Sequence, residues 1–414
     1  MYLEKLELRN YRNYEHVSLE FGSDSVLILG DNGQGKTNLL ESIYFLSTGK
    51  SHRTQNQSEL INWGADYSIL RAVIKGSHLL EIELRRDAGI KVRIDKTYQK
   101  RKKDFVFLLP AVIFSPDDLK VVKESPSNRR DFLDEVLEKV DPAYAYTKSR
   151  YQKVLLQRNS LLKSLENIGQ LKNPGIASTF ETWNEYLVNY GVKIIEKRVS
   201  LIRMIRDKFK EYISYFFGID KSDIIYLLSW GREAGLDYQG ENYCNFPADG
   251  GFEYGNFASN SNSDSRYELD KEINEIKEIK ERYLSKLEEN LDKDLMLKTT
   301  SIGPHRDDFV ILLGGRDLRF FGSQGQQRIA TLSLKLCEVF LVEEKTSRTP
   351  VLLLDDVLSE LDLERKKLLM EMMGHRFQTF VTTANINSIE DLKDAKMRFG
   401  KKYMVKNGNV YQWD

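Results

Sequence analysis

Ser25-Val26-Leu27-Ile28-Leu29 runs straight into Gly30-Asp31-Asn32-Gly33-Gln34-Gly35-Lys36-Thr37, and Leu39, Leu40, Ile43 and Tyr44 then repeat at helical spacing. A run that is apolar at nearly every position is a strand buried on both faces, the kind found in parallel sheets covered by helices. This stretch therefore demands strand, glycine-rich turn and helix in direct succession. The turn fits G-x-x-x-x-G-K-[ST]. Its glycines let backbone N–H groups close around a phosphate, and the helix opening at Lys36 aims its positive end at the same anion. Lys36 is expected to reach the β- and γ-phosphates of ATP, and the Thr37 hydroxyl to ligate Mg²⁺. Gly30, Asp31, Asn32, Gly33, Gln34, Gly35, Lys36, Thr37 and Asn38 are the expected nucleotide-binding residues. The bland alternative is a chance match in a glycine-rich turn, against which the strand before it and the helix after it both argue.

Val351-Leu352-Leu353-Leu354-Asp355-Asp356 supplies the acids such a site needs. A buried strand delivers carboxylates at its C-terminal end, where open α/β sheets bind their ligands. Asp355 is expected to hold Mg²⁺, through water, and Asp356 to polarise the attacking water. Taken alone, the same six residues read equally well as a strand followed by an acidic turn.

Composition narrows the class. The 414 residues are 41% hydrophobic and 30% charged, which suits a soluble globular chain of two or three domains. The apolar runs are strand-length, too short to span a bilayer, and the N-terminus lacks the apolar core of a signal peptide. Cys244 and Cys337 give neither a zinc pattern nor a disulfide framework, and the five histidines have no metal-ligand spacing. A reducing cytoplasm is the expected location. Basic and acidic residues balance at 62 each. A nucleic-acid binder is usually basic overall, so DNA would have to meet a local patch or a surface formed in one state only.

Along the chain, alternating strands fill residues 1–125. Helical periodicity starts at Pro126, where Phe132, Leu133, Val136, Leu137 and Val140 repeat, and long amphipathic stretches continue to about Phe217. A strand-like run follows at Ile224 to Trp230, then a Gly/Asn/Ser-rich loop at 231–265, then another helix through Leu269, Ile273, Ile276, Tyr283, Leu287 and Leu291. Short buried strands alternating with helices return in the last hundred residues, at Phe309 to Leu313, Val351 to Leu354 and Thr379 to Thr383. The expected fold is α/β: one head assembled from residues 1–125 and 301–414, with a mostly helical arm, 126–300, inserted between the halves.

Phe321-Gly322-Ser323-Gln324-Gly325-Gln326-Gln327-Arg328 opens a helix shortly before the acidic strand. A serine and a bare glycine at a helix start present a hydroxyl, N–H groups and a dipole to an anion, or simply cap the helix. In order and spacing this stretch resembles the signature motif of ABC-type ATPases, and Ser359-Glu360-Leu361-Asp362 resembles their D-loop. The resemblance implies that Ser323, Gly325 and Gln326 act in trans, closing over the γ-phosphate of ATP bound by a second chain. It also implies an ATP-dependent homodimer.

The long insert between Lys36 and Ser323 resembles the SMC-like branch rather than the transporter branch. Leu8-Arg9-Asn10-Tyr11-Arg12-Asn13-Tyr14, Ser127-Asn128-Arg129-Arg130-Asp131-Phe132-Leu133-Asp134 and Gly303-Pro304-His305-Arg306-Asp307-Asp308 narrow it to the bacterial RecF family. That resemblance implies recombinational repair of gapped DNA, with RecO and RecR as partners and RecA as the recombinase placed on single strands. It also suggests Arg9 and Arg12 as nucleotide contacts, a strand-edge role being the alternative, and Arg12 joins the expected cofactor-binding set.

Two departures from the transporter pattern stand out: Asp356 in place of glutamate, and Thr382-Thr383 where a histidine is usual, His375 lying before that strand. Both suggest slow hydrolysis, suited to a switch. The remaining readings are a transporter-type subunit indifferent to DNA, a P-loop kinase, which would not need Ser323, and an SMC-like scaffold without turnover. Lys100-Arg101-Lys102-Lys103 and Lys50-Ser51-His52-Arg53 are either DNA contacts or solvated faces. Gly303 to Asp308 is either a rigid functional turn or an ion-pair network. Asp117-Asp118 is either a γ-phosphate sensor or a capped turn.

Overall fold

A computed structural model describes residues 2–75, 78–99, 105, 108–165, 168–230, 265–373, 376–384 and 399–413. Along the chain come β1 (Leu3–Tyr11), β2 (Tyr14–Glu20), β3 (Ser25–Leu29), α1 (Lys36–Thr48), β4 (Tyr67–Ile74), β5 (His78–Arg85), β6 (Gly89–Ile94), β7 (Thr97–Gln99) and β8 (Ala111–Phe114). Three long helices follow, α2 (Pro126–Val140), α3 (Tyr144–Ser164) and α4 (Pro174–Phe217), then β9 (Ser222–Leu227) and α5 (Ser265–Glu289). The last part holds β10 (Asp308–Leu313), β11 (Arg316–Asp317), α6 (Gln324–Thr346), β12 (Val351–Asp355), α7 (Leu363–Met373), β13 (Thr379–Thr383), β14 (Phe399–Lys406) and β15 (Asn409–Gln412). Among the described residues no helix is long and apolar enough to cross a membrane.

The chain divides into two compact units, residues 1–118 with 334–414, and residues 119–333. The first holds two six-stranded sheets. One, in the order β2-β1-β4-β5-β6-β7, is antiparallel, and β1 and β4 alternate buried with more open residues, as strands with one covered face do. The other runs β15-β14-β3-β13-β12-β8. Its β14, β3, β13, β12 and β8 are parallel, and every residue of β3, β13, β12 and β8 is buried. Strands apolar at every position thus occupy the interior of a parallel sheet, and that sheet carries the site.

The second unit contains α2 to α5, each buried along one stripe where its side chains are described, and a three-stranded antiparallel sheet ordered β11-β10-β9. Its limits differ from the expected boundaries at 125/126 and 300/301. Residues 301–333 fold with the helical block because β10 pairs with β9 over six positions, from Asp308↔Leu227 to Leu313↔Ser222. The loop at 231–264, read from the sequence as a long patternless connection, lies outside the described residues.

Candidate functional site

The phosphate-type loop leaves β3 and enters α1 through backbone shapes that exclude side chains. Gly30 has φ 152 and Gly35 φ 119, both left-handed. A Cβ on Gly30 would sit 2.4 Å from the Val405 carbonyl oxygen, and one on Gly35 2.6 Å from Asn13 Nδ2 and 2.9 Å from the Tyr14 hydroxyl. Lys36 folds back over the loop, its Nζ donating to the carbonyls of Gly30 at 2.7 Å and Asp31 at 2.9 Å. Burial draws the Lys36 pKa below the usual lysine value, and the carboxylates of Asp356, Asp355 and Asp31 oppose that fall. A buried cation at a helix N-terminus, held by backbone carbonyls and without a salt-bridging carboxylate among the described residues, has the make-up of an anion cradle. Asp31, Asn32 and Gly33 are exposed at its mouth.

Strand order brings the acids to that cradle. β13 lies between β3 and β12, and Thr382 is in register with Ile28 on one side and Asp355 on the other. The Thr37 hydroxyl donates to Asp355 Oδ1 at 3.0 Å, and Thr382 Oγ1 lies 2.8 Å from the same oxygen. The Asp356 amide donates to Thr382 Oγ1 at 3.0 Å, and Asp356 adopts φ 54, a left-handed shape that turns the chain sharply after the strand. Thr37 and Asp355 therefore meet directly. That pair is a hard oxygen donor set, which Mg²⁺ prefers. Among the described residues no group of three or more His, Cys, Asp or Glu side chains could hold another metal.

Thr382 was legible in the sequence only as a histidine that is not there. The structure makes it the hub joining both acids. The available signal was three hydroxyls in a fully buried strand, Thr379-Phe380-Val381-Thr382-Thr383.

Struts hold the loop from two sides. In the β1–β2 turn, Asn13 Nδ2 donates to the Gln34 carbonyl at 2.9 Å and Tyr14 to the Gly35 carbonyl at 2.8 Å, while Asn38 Nδ2 donates to Asn13 Oδ1 at 2.8 Å. In the β14–β15 turn, the Asn407 amide donates to Gln34 Oε1 at 2.6 Å. Arg12, expected at the nucleotide, grips Glu41 of α1 with two hydrogen bonds of 2.8 and 2.7 Å and reaches the Glu59 carbonyl. Burial pushes the Glu41 carboxyl up; hydrogen bonds from Arg12 and Ser51 more than reverse this and hold it below the usual range. Glu41, fully buried on the loop's own helix, is a residue the sequence reading missed. Ser51 and Arg53 of the Lys50 cluster belong to the same lattice, Arg53 donating to Asn38 Oδ1 at 2.8 Å. Arg9 stacks over Tyr67. Asp118 accepts from the Ser115 amide at 2.6 Å, a capped turn.

In the second unit, Ser323, Gln324 and Gly325 are exposed at the start of α6. Ser323 Oγ accepts from the Gln326 amide at 3.3 Å and Gln326 Oε1 from the Ser323 amide at 2.9 Å, a reciprocal capping box. Beside it Phe320 and Phe321 are open to solvent at 75% and 49%. The Gly303–Asp308 segment is the centre of a buried network. Arg129 binds Asp308 through two hydrogen bonds of 2.6 and 3.0 Å, and Arg130 donates to the Asp307 carbonyl. Tyr226 and the Ser229 amide both donate to the Asp307 carboxylate, and Arg198 donates to the Pro304 carbonyl. His305 sits between Tyr151 Oη at 2.6 Å and the Thr300 carbonyl at 3.0 Å, and burial lowers its pKa to about 4. Lys100 to Lys103 and His375 lie outside the described residues.

Residues 2–407 match the family described as RecF/RecN/SMC N terminal domain. A DNA replication and repair protein RecF of Natranaerobius thermophilus is 36% identical over 415 residues, covering 99% of this chain and 98% of its own. One from Bacillus thuringiensis is 35% identical over 403 residues, covering 96% of each. Among solved structures, the recombination mediator protein RecF-ATPrS of the RecFOR pathway superposes with TM-score 0.81 at 31% identity, over 100% of this chain and 98% of that one. The corresponding RecF-ATP structure gives 0.78. The strand order around Thr382, the glycine cradle and these likenesses agree, and the chain belongs to the RecF family, with an SMC-like ATPase head.

Proposed function

We propose that this chain is an ATP-dependent switch of recombinational DNA repair: it binds ATP and Mg²⁺, pairs with a second copy across the nucleotide, and hydrolyses slowly. The observation that carries the reading is the convergence of three parallel strands on one point, where Lys36, Thr37, Asp355 and Asp356 face the cradle around Thr382. Gly30 to Asn38 bind the phosphates; Thr37 and Asp355 hold the metal, the latter through water. Mg²⁺, when bound, neutralises charge developing on the transferred phosphoryl group. Asp356 polarises the attacking water. Its side chain is one methylene shorter than the glutamate of transporters, and Thr382 orients its backbone without offering a base. Slow turnover fits both facts. DNA-stimulated turnover well below tens per second is expected in a steady-state assay.

The in-trans role of Ser323, Gly325 and Gln326 is supported by their exposure at a helix start, where a hydroxyl and N–H groups are available to an anion. Two relatives come from structures of the RecFOR pathway. They support RecO and RecR as partners here; gapped DNA as the substrate, with RecA loaded on the single strand, completes the proposal. ATP then supplies contacts that exist only between two copies, and dimer formation is linked to nucleotide by mass action.

Molar mass in solution, with and without ATP-Mg²⁺, tests the pairing. Mass should double with ATP for the wild type and stay at one chain for Ser323→Arg. A wild-type mass unmoved by ATP that is shown to be bound would overturn the trans role.

A further inference from the structure

Away from the ATP cradle, the second unit shows a face that carries cations and aromatic rings. Residues 142–165 contain no Asp or Glu but include Lys148, Arg150, Lys153, Arg158 and Lys163, in a chain whose charges balance overall. Two of these cations are used inside the unit: Lys148 pairs with Asp134 and Glu138, and Arg158 with Asp294. The others point outward. On α3, Tyr146, Arg150, Lys153 and Gln157 recur at spacings of 4, 3 and 4 and share one exposed stripe. On α4, which packs against α3, Trp183, Tyr186, Tyr190, Lys193 and Lys197 recur at 3, 4, 3 and 4. Glu181 and Glu185 of α4 lie off that stripe, and Glu196, half-buried three residues beyond Lys193, borders it.

The two stripes form a single face. The Arg150 guanidinium lies 5.2 Å over the Tyr146 ring and donates to its hydroxyl at 3.0 Å. Tyr146 is 59% and Tyr186 49% exposed, and the Trp183 and Tyr186 rings stand 6.3 Å apart. Lys197 is committed to Asp141 at 3.0 Å, but Lys153 and Lys193 form no ion pair among the described residues.

We infer that this α3–α4 face binds a single strand of nucleic acid, with Arg150, Lys153 and Lys193 on its phosphates and Tyr146 and Tyr186 stacked on unpaired bases. Cations alternating with half-exposed rings are what a strand requires, since every base has a flat face and every linkage a negative charge. An acidic protein partner would engage the cations and leave the rings idle. The inference shares with the proposed function only the idea that the protein works on DNA, and it places that contact at a surface not otherwise assigned.

The test is fluorescence anisotropy of a labelled 30-nucleotide single strand and of the matching duplex, across a salt series, with the full-length protein. Arg150→Gln/Lys153→Gln/Lys193→Gln should weaken single-strand binding roughly 10- to 100-fold and reduce the slope of log affinity against log salt by about 2. Tyr146→Ala/Tyr186→Ala should weaken single-strand binding roughly fivefold or more while leaving duplex binding unchanged. ATP affinity and melting temperature should stay at wild-type values in both, which separates lost contact from lost fold. Unchanged single-strand affinity and salt slope in the triple variant, with wild type binding DNA, would overturn the face and leave the repair reading standing. A wild type that binds no DNA would overturn both. Retained DNA affinity with lost binding to poly-glutamate would assign the face to an acidic protein and overturn the strand.

Discussion

At the scale of single residues, the site depends on groups that do no chemistry. Gly35 is held at φ 119 with Asn13 and Tyr14 where a Cβ would go. Gly35→Ala combines backbone strain of about 1–3 kcal/mol with a collision against polar atoms that are themselves tied to the loop. The expected outcome is loss of measurable ATP binding by calorimetry, together with a lowered melting temperature. Thr382→Val keeps the shape of β13 but removes the hydroxyl that joins Asp355 to the Asp356 amide. Groups that orient a metal-ligating carboxylate commonly contribute 10- to 100-fold to activity. Turnover should fall by roughly that factor while ATP affinity changes little. An equal loss in affinity would mean that Thr382 supports the cradle instead of the acids.

At the scale of elements, what could be read from the sequence was whatever the chain writes contiguously. β3, the glycine loop and α1 are adjacent, so their joint meaning is visible in one unbroken stretch, Ser25 to Thr48. β12 with its two acids is visible for the same reason. Thr382, Glu41 and Asn407 were not, because each matters only through a partner brought close by folding: Asp355, Arg12 and Gln34 respectively. The 301–333 segment was assigned to the head because short buried strands alternating with helices return there, whereas β10 pairs with β9, far back in the chain. Two of the motifs that carried the family resemblance, at Ser127–Asp134 and Gly303–Asp308, turn out to bind each other. Arg129→Ala leaves Asp308 with Arg319 alone, at 3.2 Å, and should cost about 3 kcal/mol, seen as an earlier urea midpoint for the second unit.

At the scale of the whole molecule, acid should act through that network. His305 is buried with its pKa lowered to about 4 from an ordinary 6.5. The unfolded chain therefore binds a proton that the folded one refuses between those values. Stability from this group is complete above pH 6.5 and declines as pH falls toward 4, by roughly 3 kcal/mol at most. Asp307 beside it works in the opposite sense, since burial raises its carboxyl. His305→Gln should flatten the acid limb of a stability–pH curve between pH 6.5 and 4. A limb of unchanged steepness would place the titration elsewhere.

The strut from the β14–β15 turn has a consequence for synthesis. Val405 presses its carbonyl against Gly30, Asn407 binds Gln34, and Gly408 lies against Asn13, so the loop at 30–37 is finished by residues near 405–408. A ribosome delivers the loop early and its brace last. Until then β3 lacks the neighbour that β14 provides. Premature termination anywhere upstream of Val405 should thus yield chains that never grip nucleotide.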